Sequence, residues 1–160
     1  MTGSDDPAVR EGDAAAPTDR RRWMGILARA TGAEIAARLA ALPAPPPHAR
    51  LRGPETGLVM VRGRAGGDGA PFNLGEMTVT RCTVRLAEGP VGHAYVAGRD
   101  ARQAELAALV DALMQDAARR AAVESAVIAP LAAAQAARRD EVARRAAATK
   151  VQFFTMQQMR

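Results

Sequence analysis

From Met77 to Leu86 the chain alternates. Thr78, Thr80, Cys82, Val84 and Leu86 fall on one side, and Met77, Val79, Arg81, Thr83 and Arg85 on the other. A period of two belongs to a strand with one buried face, and the strand is expected to begin near Phe72. Glu88-Gly89-Pro90 interrupts the pattern and Val91 to Val96 resumes it, which predicts an antiparallel hairpin at the centre of the sequence. After Gly98-Arg99-Asp100 the period lengthens to about 3.6. Asp100 is the expected N-cap, with Gln103 at N3, of the longest helix. Its apolar stripe runs through Ala104, Ala107, Leu109, Val110, Leu113 and Met114.

Helical spacing also precedes the hairpin. Asp19 is expected to open a first helix that turns Trp23, Ile26, Leu27 and Ala30 to one side. Thr31-Gly-Ala-Glu34 fits a capping box, so a second helix follows with Ile35, Leu39 and Leu42 inward. Pro43-Ala-Pro-Pro-Pro47 ends it, because proline has no amide donor and clashes with the preceding turn. His48 to Arg52 then reads as a short strand. Glu55 to Arg64 reads as a longer one, with Val59 and Val61 opposed to Leu58, Met60, Arg62 and Arg64. Gly66-Gly67-Asp68-Gly69 is the loop into the hairpin.

Beyond Arg119 the apolar positions thin to Val123, Val127 and Ile128, and Pro130 opens a last helix from Leu131 toward Ala148. Val151-Gln-Phe-Phe-Thr-Met156 reads as a C-terminal strand. The expected fold is α+β: an antiparallel sheet of about four strands with helices packed on it, a helical N-terminal segment and a C-terminal strand. Residues 1–18, acidic and aperiodic, are expected to form a disordered tail, and residues 19–160 a single domain.

Composition changes this picture in one respect. The chain has 160 residues and is 48% hydrophobic, enough for one core, but aromatics make up 3% and alanine fills much of the apolar count. Burial stabilises by about 25 cal/mol per Å², so alanine contributes little per residue and a partner surface is expected to supply the rest. Leu131, Val142, Phe153, Phe154 and Met156 are the candidate interface.

Charge raises the question of nucleic acid, since the net charge is +5. The positive residues are arginines apart from Lys150. They alternate with Asp and Glu along the helices, and no basic block is interleaved with aromatics. Solvated faces and protein contacts explain them best; a basic nucleic-acid-binding regulator is the alternative. No apolar run reaches membrane-spanning length and no signal-peptide pattern is present, so a soluble, cytoplasmic protein is expected.

Candidate chemistry is sparse. One cysteine, Cys82, allows no internal disulfide and reads as a buried thiol. His48 and His93 lack the spacing of a metal pair, and the glycine loop lacks the lysine of a phosphate-binding loop. No metal or cofactor is expected on this chain alone, and no catalytic residue is assigned. Arg62, Arg64, Glu76, Arg81, Arg85 and Arg99 form the candidate polar cluster for substrate or partner, beside Glu55 and Asp100. Grouped guanidinium groups suit phosphate or phosphonate oxygens, but for each arginine taken singly an exposed sheet face with ion pairs to Glu76 or Glu88 is the better reading.

Several stretches taken in order carry a more specific signal. They are Arg22-Trp23-Met24, Glu55-Thr-Gly-Leu-Val59, Gly75-Glu76-x-Thr78-x-Thr80-Arg81, Gly98-Arg99-Asp100, Ala108-Leu-x-Asp-Ala-Leu113, Ile128-Ala-Pro-Leu131 and Val151-x-Phe-Phe-Thr-Met156. From about Arg21 to Met156 the chain resembles the G subunit of the bacterial carbon-phosphorus lyase core complex. The resemblance implies a hetero-oligomeric enzyme subunit, inactive alone, that joins H, I and J subunits. It implies a reaction in which a phosphonate such as methylphosphonate displaces adenine from ATP, giving α-D-ribose 1-methylphosphonate 5-triphosphate. It further implies that the complex uses ATP and an alkylphosphonate, and that the J subunit carries an iron-sulfur cluster and uses S-adenosylmethionine.

Overall fold

The computed structural model describes residues 17–64, 69–87 and 89–150. Helices α1 (Pro17–Arg29) and α2 (Gly32–Leu39) come first. Strands β1 (His48–Gly63), β2 (Phe72–Leu86) and β3 (Val91–Ala97) follow, then helices α3 (Ala101–Gln115), α4 (Ala117–Val123) and α5 (Ala129–Ala148). Between α4 and α5 the backbone passes through a π-helical segment, Glu124–Ile128. The sheet is an antiparallel meander in the order β1-β2-β3.

All helices lie on one face of this sheet, with α3 across β2 and β3. Cys82, Val84, Leu86, Ala94 and Val96 meet Ala104, Ala107, Ala108, Val110 and Leu113 there, and Trp23, Leu27 and Ile35 close the core from the N-terminal helices. The approach is closest at Gly92. A Cβ at that position would overlap the Ala108 carbonyl oxygen and lie 2.5 Å from the Ala112 nitrogen, so only glycine lets α3 pass this close to β3. Gly98, with φ +90°, makes the turn into α3.

Several expected devices are present. Thr31 and Glu34 cap α2 reciprocally, and the Asp100 side chain accepts from the Gln103 backbone N–H. The Gln103 side chain, however, points away from the cap and donates to the carbonyls of Ala28 and Ala30. Gln135 on α5 likewise donates to the Ile26 carbonyl. Two buried glutamines thus satisfy carbonyls at the end of α1 that have no helical partner.

The sheet differs from expectation. The two strands expected between His48 and Arg64 are one, β1, kept continuous by irregularities between Arg50 and Arg52 and between Arg52 and Glu55. Pro54 sits in that irregular stretch, on an edge strand, where a missing amide donor is tolerated. The described sheet therefore has three strands rather than about four. The expected C-terminal strand and residues 1–16 of the expected N-terminal tail lie outside the described residues, whereas Pro17 and Thr18, expected in that tail, form the start of α1 ahead of the expected N-cap Asp19.

The last helical region also departs from a simple helix start at Pro130. Its N-terminal turn is joined to α4 through the π segment, where Ala129 N–H reaches the Glu124 carbonyl. The widened turn precedes the residue that cannot donate, which relieves the clash a proline ring makes inside a regular helix.

Candidate functional site

Asp111 stands in the apolar run Leu109-Val110-Asp111-Ala112-Leu113, so α3 carries a carboxylate into the core. Its side chain is fully buried and gathers donors from three elements. Arg20 of α1 donates through Nε at 3.2 Å and Nη2 at 2.7 Å, Trp23 through Nε1 at 2.8 Å, and the backbone N–H of His93 on β3 at 2.8 Å. Gln115 Nε2 approaches at 3.4 Å. A buried charge this fully solvated by donors fixes α1, α3 and β3 to one another. Its oxygens are occupied by the fold, so Asp111 acts as a structural hub.

The other titratable groups are similarly engaged or exposed. Cys82 is buried, and burial pushes its thiol up from the ordinary cysteine value. His93 faces Thr83 Oγ1 at 3.1 Å, and His48 lies 3.2 Å from the Pro46 carbonyl. Among the described residues no group of three His, Cys, Asp or Glu converges as a metal site requires.

The helices leave the opposite face of the sheet uncovered. There Arg81 pairs with Glu55 at 3.1 Å, and Glu55 is shared with Arg52 at 3.5 Å. A shallow notch lies beside this pair over Gly57, walled by Val59, Val79 and Tyr95. Arg85, four residues farther along β2 on the same face, has no carboxylate partner among the described residues.

The candidate arginines do not form one cluster. Arg81 stands opposite Tyr95 in the body of the sheet, whereas Arg62 pairs with Asn73 near the far end of β1. Seven residues of extended chain from Glu55 to Arg62 separate the two groups by about 20 Å. Arg62 donates to the Pro71 carbonyl, Arg64 follows the end of β1, Glu76 stands opposite Met60, and Arg99 follows β3.

The candidate interface is also redistributed. Leu131 is 2% exposed and belongs to the core, because the π segment turns the start of α5 inward beside Val127 and Ile128; it is not available to a partner. Val142 is exposed on α5. Phe153, Phe154 and Met156 lie outside the described residues.

The apolar surface that sequence reading missed is the outer half of the β1-β2 hairpin. β3 pairs only with Val79 to Arg85, so Leu58–Gly63 and Phe72–Thr78 continue as a two-stranded ribbon. Leu58, Met60, Val61, Phe72, Leu74 and Met77 are exposed on it. Alternation showed two faces there and could not show that no helix covers either one.

These features define a class: a small α+β protein with a buried structural carboxylate at Asp111 and, among the described residues, apolar surface concentrated on a two-stranded ribbon. Residues 18–158 match the family described as Phosphonate metabolism protein PhnG. A relative from Rhizobium meliloti (strain 1021), "Alpha-D-ribose 1-methylphosphonate 5-triphosphate synthase subunit PhnG", is 51% identical over 149 residues, which covers 93% of this chain and 95% of the relative. The chain belongs to the PhnG family.

Proposed function

We propose that this chain is the G-type subunit of an α-D-ribose 1-methylphosphonate 5-triphosphate synthase in phosphonate catabolism, and that its main work is assembly. The observation that carries the reading is the 51% identity, over nearly the whole of both chains, to a relative named as a subunit of that synthase. The partners in this reading are H, I and J subunits, the substrates ATP and an alkylphosphonate, and the compartment the cytoplasm. Iron-sulfur and S-adenosylmethionine chemistry belongs to the J subunit. The family match favours this role over a nucleic-acid-binding regulator. Among the described residues no helix is long and apolar enough to cross a membrane.

In the reaction an oxygen of the phosphonate forms a bond to ribose C1 as the bond from C1 to the adenine nitrogen breaks, and adenine leaves with a proton. Water competes for the same carbon. A subunit that positions the phosphonate or excludes water therefore changes the product ratio even when it supplies no reacting group. Arg85, exposed and without a carboxylate partner among the described residues, is one side chain of this chain that is free to meet an anionic oxygen.

Co-expression with H, I and J subunits followed by native mass determination tests the reading. A stoichiometric complex containing all four chains is expected. A chain recovered alone, or carrying only nucleic acid, overturns it.

A further inference from the structure

A two-stranded ribbon is marginally stable by itself in water, and this one has apolar side chains on both faces. Leu58 and Met60 continue the side on which Thr56 meets Thr80, while Val61 and Met77 continue the side of Val79 and Tyr95. From Gly57 outward along β1 only Val59 and Gly63 are even half-buried. The six large apolar residues, 37% to 62% exposed, present on the order of 500 Å² to solvent, against about 800 Å² per partner in a standard interface. Single exposed hydrophobics are ordinary on a protein surface; six on one projecting element mark an interaction site.

We infer that this ribbon is an arm that inserts into an apolar cleft on a different subunit of the synthase, with carboxylates at the cleft rim facing Arg62 and Arg64. The inference rests on the proposed function and deepens it by naming the surface and the chemistry of its receptor. Apolar groups on both faces call for a cleft that closes around the ribbon, since a flat surface covers only one of them. Charge selects a different chain over a second copy. This chain is net positive at +5, and the described residues place no carboxylate on Arg62 or Arg64. A second copy would add like charge, whereas an acidic rim complements it.

An apolar concavity among the described residues, bounded by Leu39, Leu42, Pro43, Leu113 and Val123, has a volume of about 150 Å³, space for one side chain rather than a ribbon. The irregularity between Val61 and Arg62 bends the ribbon near the end of β1, where Leu74 lies over Gly63.

The test co-expresses the full-length chain with H, I and J subunits, as wild type and as the double variant Met60→Glu/Phe72→Glu. Neither residue contributes to the described core, so the isolated variant should match the wild type in circular dichroism and melting temperature. Recovery of the variant in the complex should fall at least tenfold. Amide exchange in peptides covering residues 58–63 and 72–78 should slow on assembly of the wild-type complex, a readout that needs no variant. A folded variant that assembles like the wild type, or a ribbon that exchanges as fast in the complex as alone, overturns the inference. An isolated wild-type dimer dissolved by the same substitutions overturns it in favour of a second copy. A wild-type chain that enters no complex overturns the functional reading, and the arm's receptor with it.

Discussion

Replacing Asp111 by alanine should be the most damaging single polar substitution in the described core. The side chain accepts from Trp23 Nε1, His93 N–H and two nitrogens of Arg20, and its own exposure is zero. Alanine leaves the indole and the backbone amide buried without an acceptor, and each such group costs about 1–3 kcal/mol. Arg20 is 32% exposed and can turn to water, so the lost ion pair adds less than a fully buried one would. The total expected loss is roughly 3–5 kcal/mol, a large part of the 5–15 kcal/mol typical of a domain. Urea unfolding followed by Trp23 fluorescence and by far-ultraviolet circular dichroism measures it, with coincidence of the two probes as the check on two-state behaviour. The Arg20→Ala variant, which leaves Trp23 and His93 bonded, should lose clearly less. A loss under about 1 kcal/mol for Asp111→Ala would refute the assignment of Asp111 as the hub.

Further expectations follow from the same contacts. Gly92→Ala drives a methyl group into the α3 backbone, so it should cost about 3 kcal/mol or more, as severe overpacking does; a melting temperature equal to the wild type would contradict the close approach. Glu34 is held at about 2, first by its bond to Arg138 and then by the Thr31 backbone N–H. Its folded value lies below the ordinary 4.5, so its contribution is complete above about 4.5 and is lost as pH falls toward about 2. The gap in melting temperature between wild type and Glu34→Gln should therefore shrink over that interval, and a constant gap would count against the assignment. Cys82, its thiol raised by burial, should resist a maleimide in the folded chain near pH 8 and react on unfolding, as mass spectrometry would report.

Local signals carried much of the fold. The alternation around Cys82, the capping box at Thr31 and Glu34, and the cap at Asp100 depend on neighbours in sequence, and the structure contains all three. The apolar positions Trp23, Ile26, Leu27 and Ala30 are buried together because a single helical face leaves them no alternative. Longer-range facts were less legible. Pro54 and Gly53 read as a break in β1, yet an edge strand absorbs both through its irregular pairing. Leu131 reads as a candidate interface residue, yet it follows the π segment into the core.

The site was legible to a lesser degree. An aspartate inside an apolar helical run is a signal in itself, since a buried carboxylate must find donors, but no spacing rule names Arg20, Trp23 or the His93 amide as those donors. The same limit applies to the ribbon. Period two places Leu58 and Met60 on a face, while only the packing of α3 on the body of the sheet leaves that face open farther out. Arginine positions in one strand pair suggest a cluster, and the pairing register alone separates Arg62 from Arg81.

The most direct measurement is an omit-one reconstitution. Purified H, I and J subunits receive ATP and methylphosphonate with or without this chain, and phosphorus-31 spectra and mass spectrometry quantify the ribose phosphonate ester against ribose triphosphate. With the chain present the phosphonate ester should dominate; without it the ester should fall sharply and hydrolysis or unreacted ATP should take its place. Full ester formation in its absence would contradict the role assigned to this subunit.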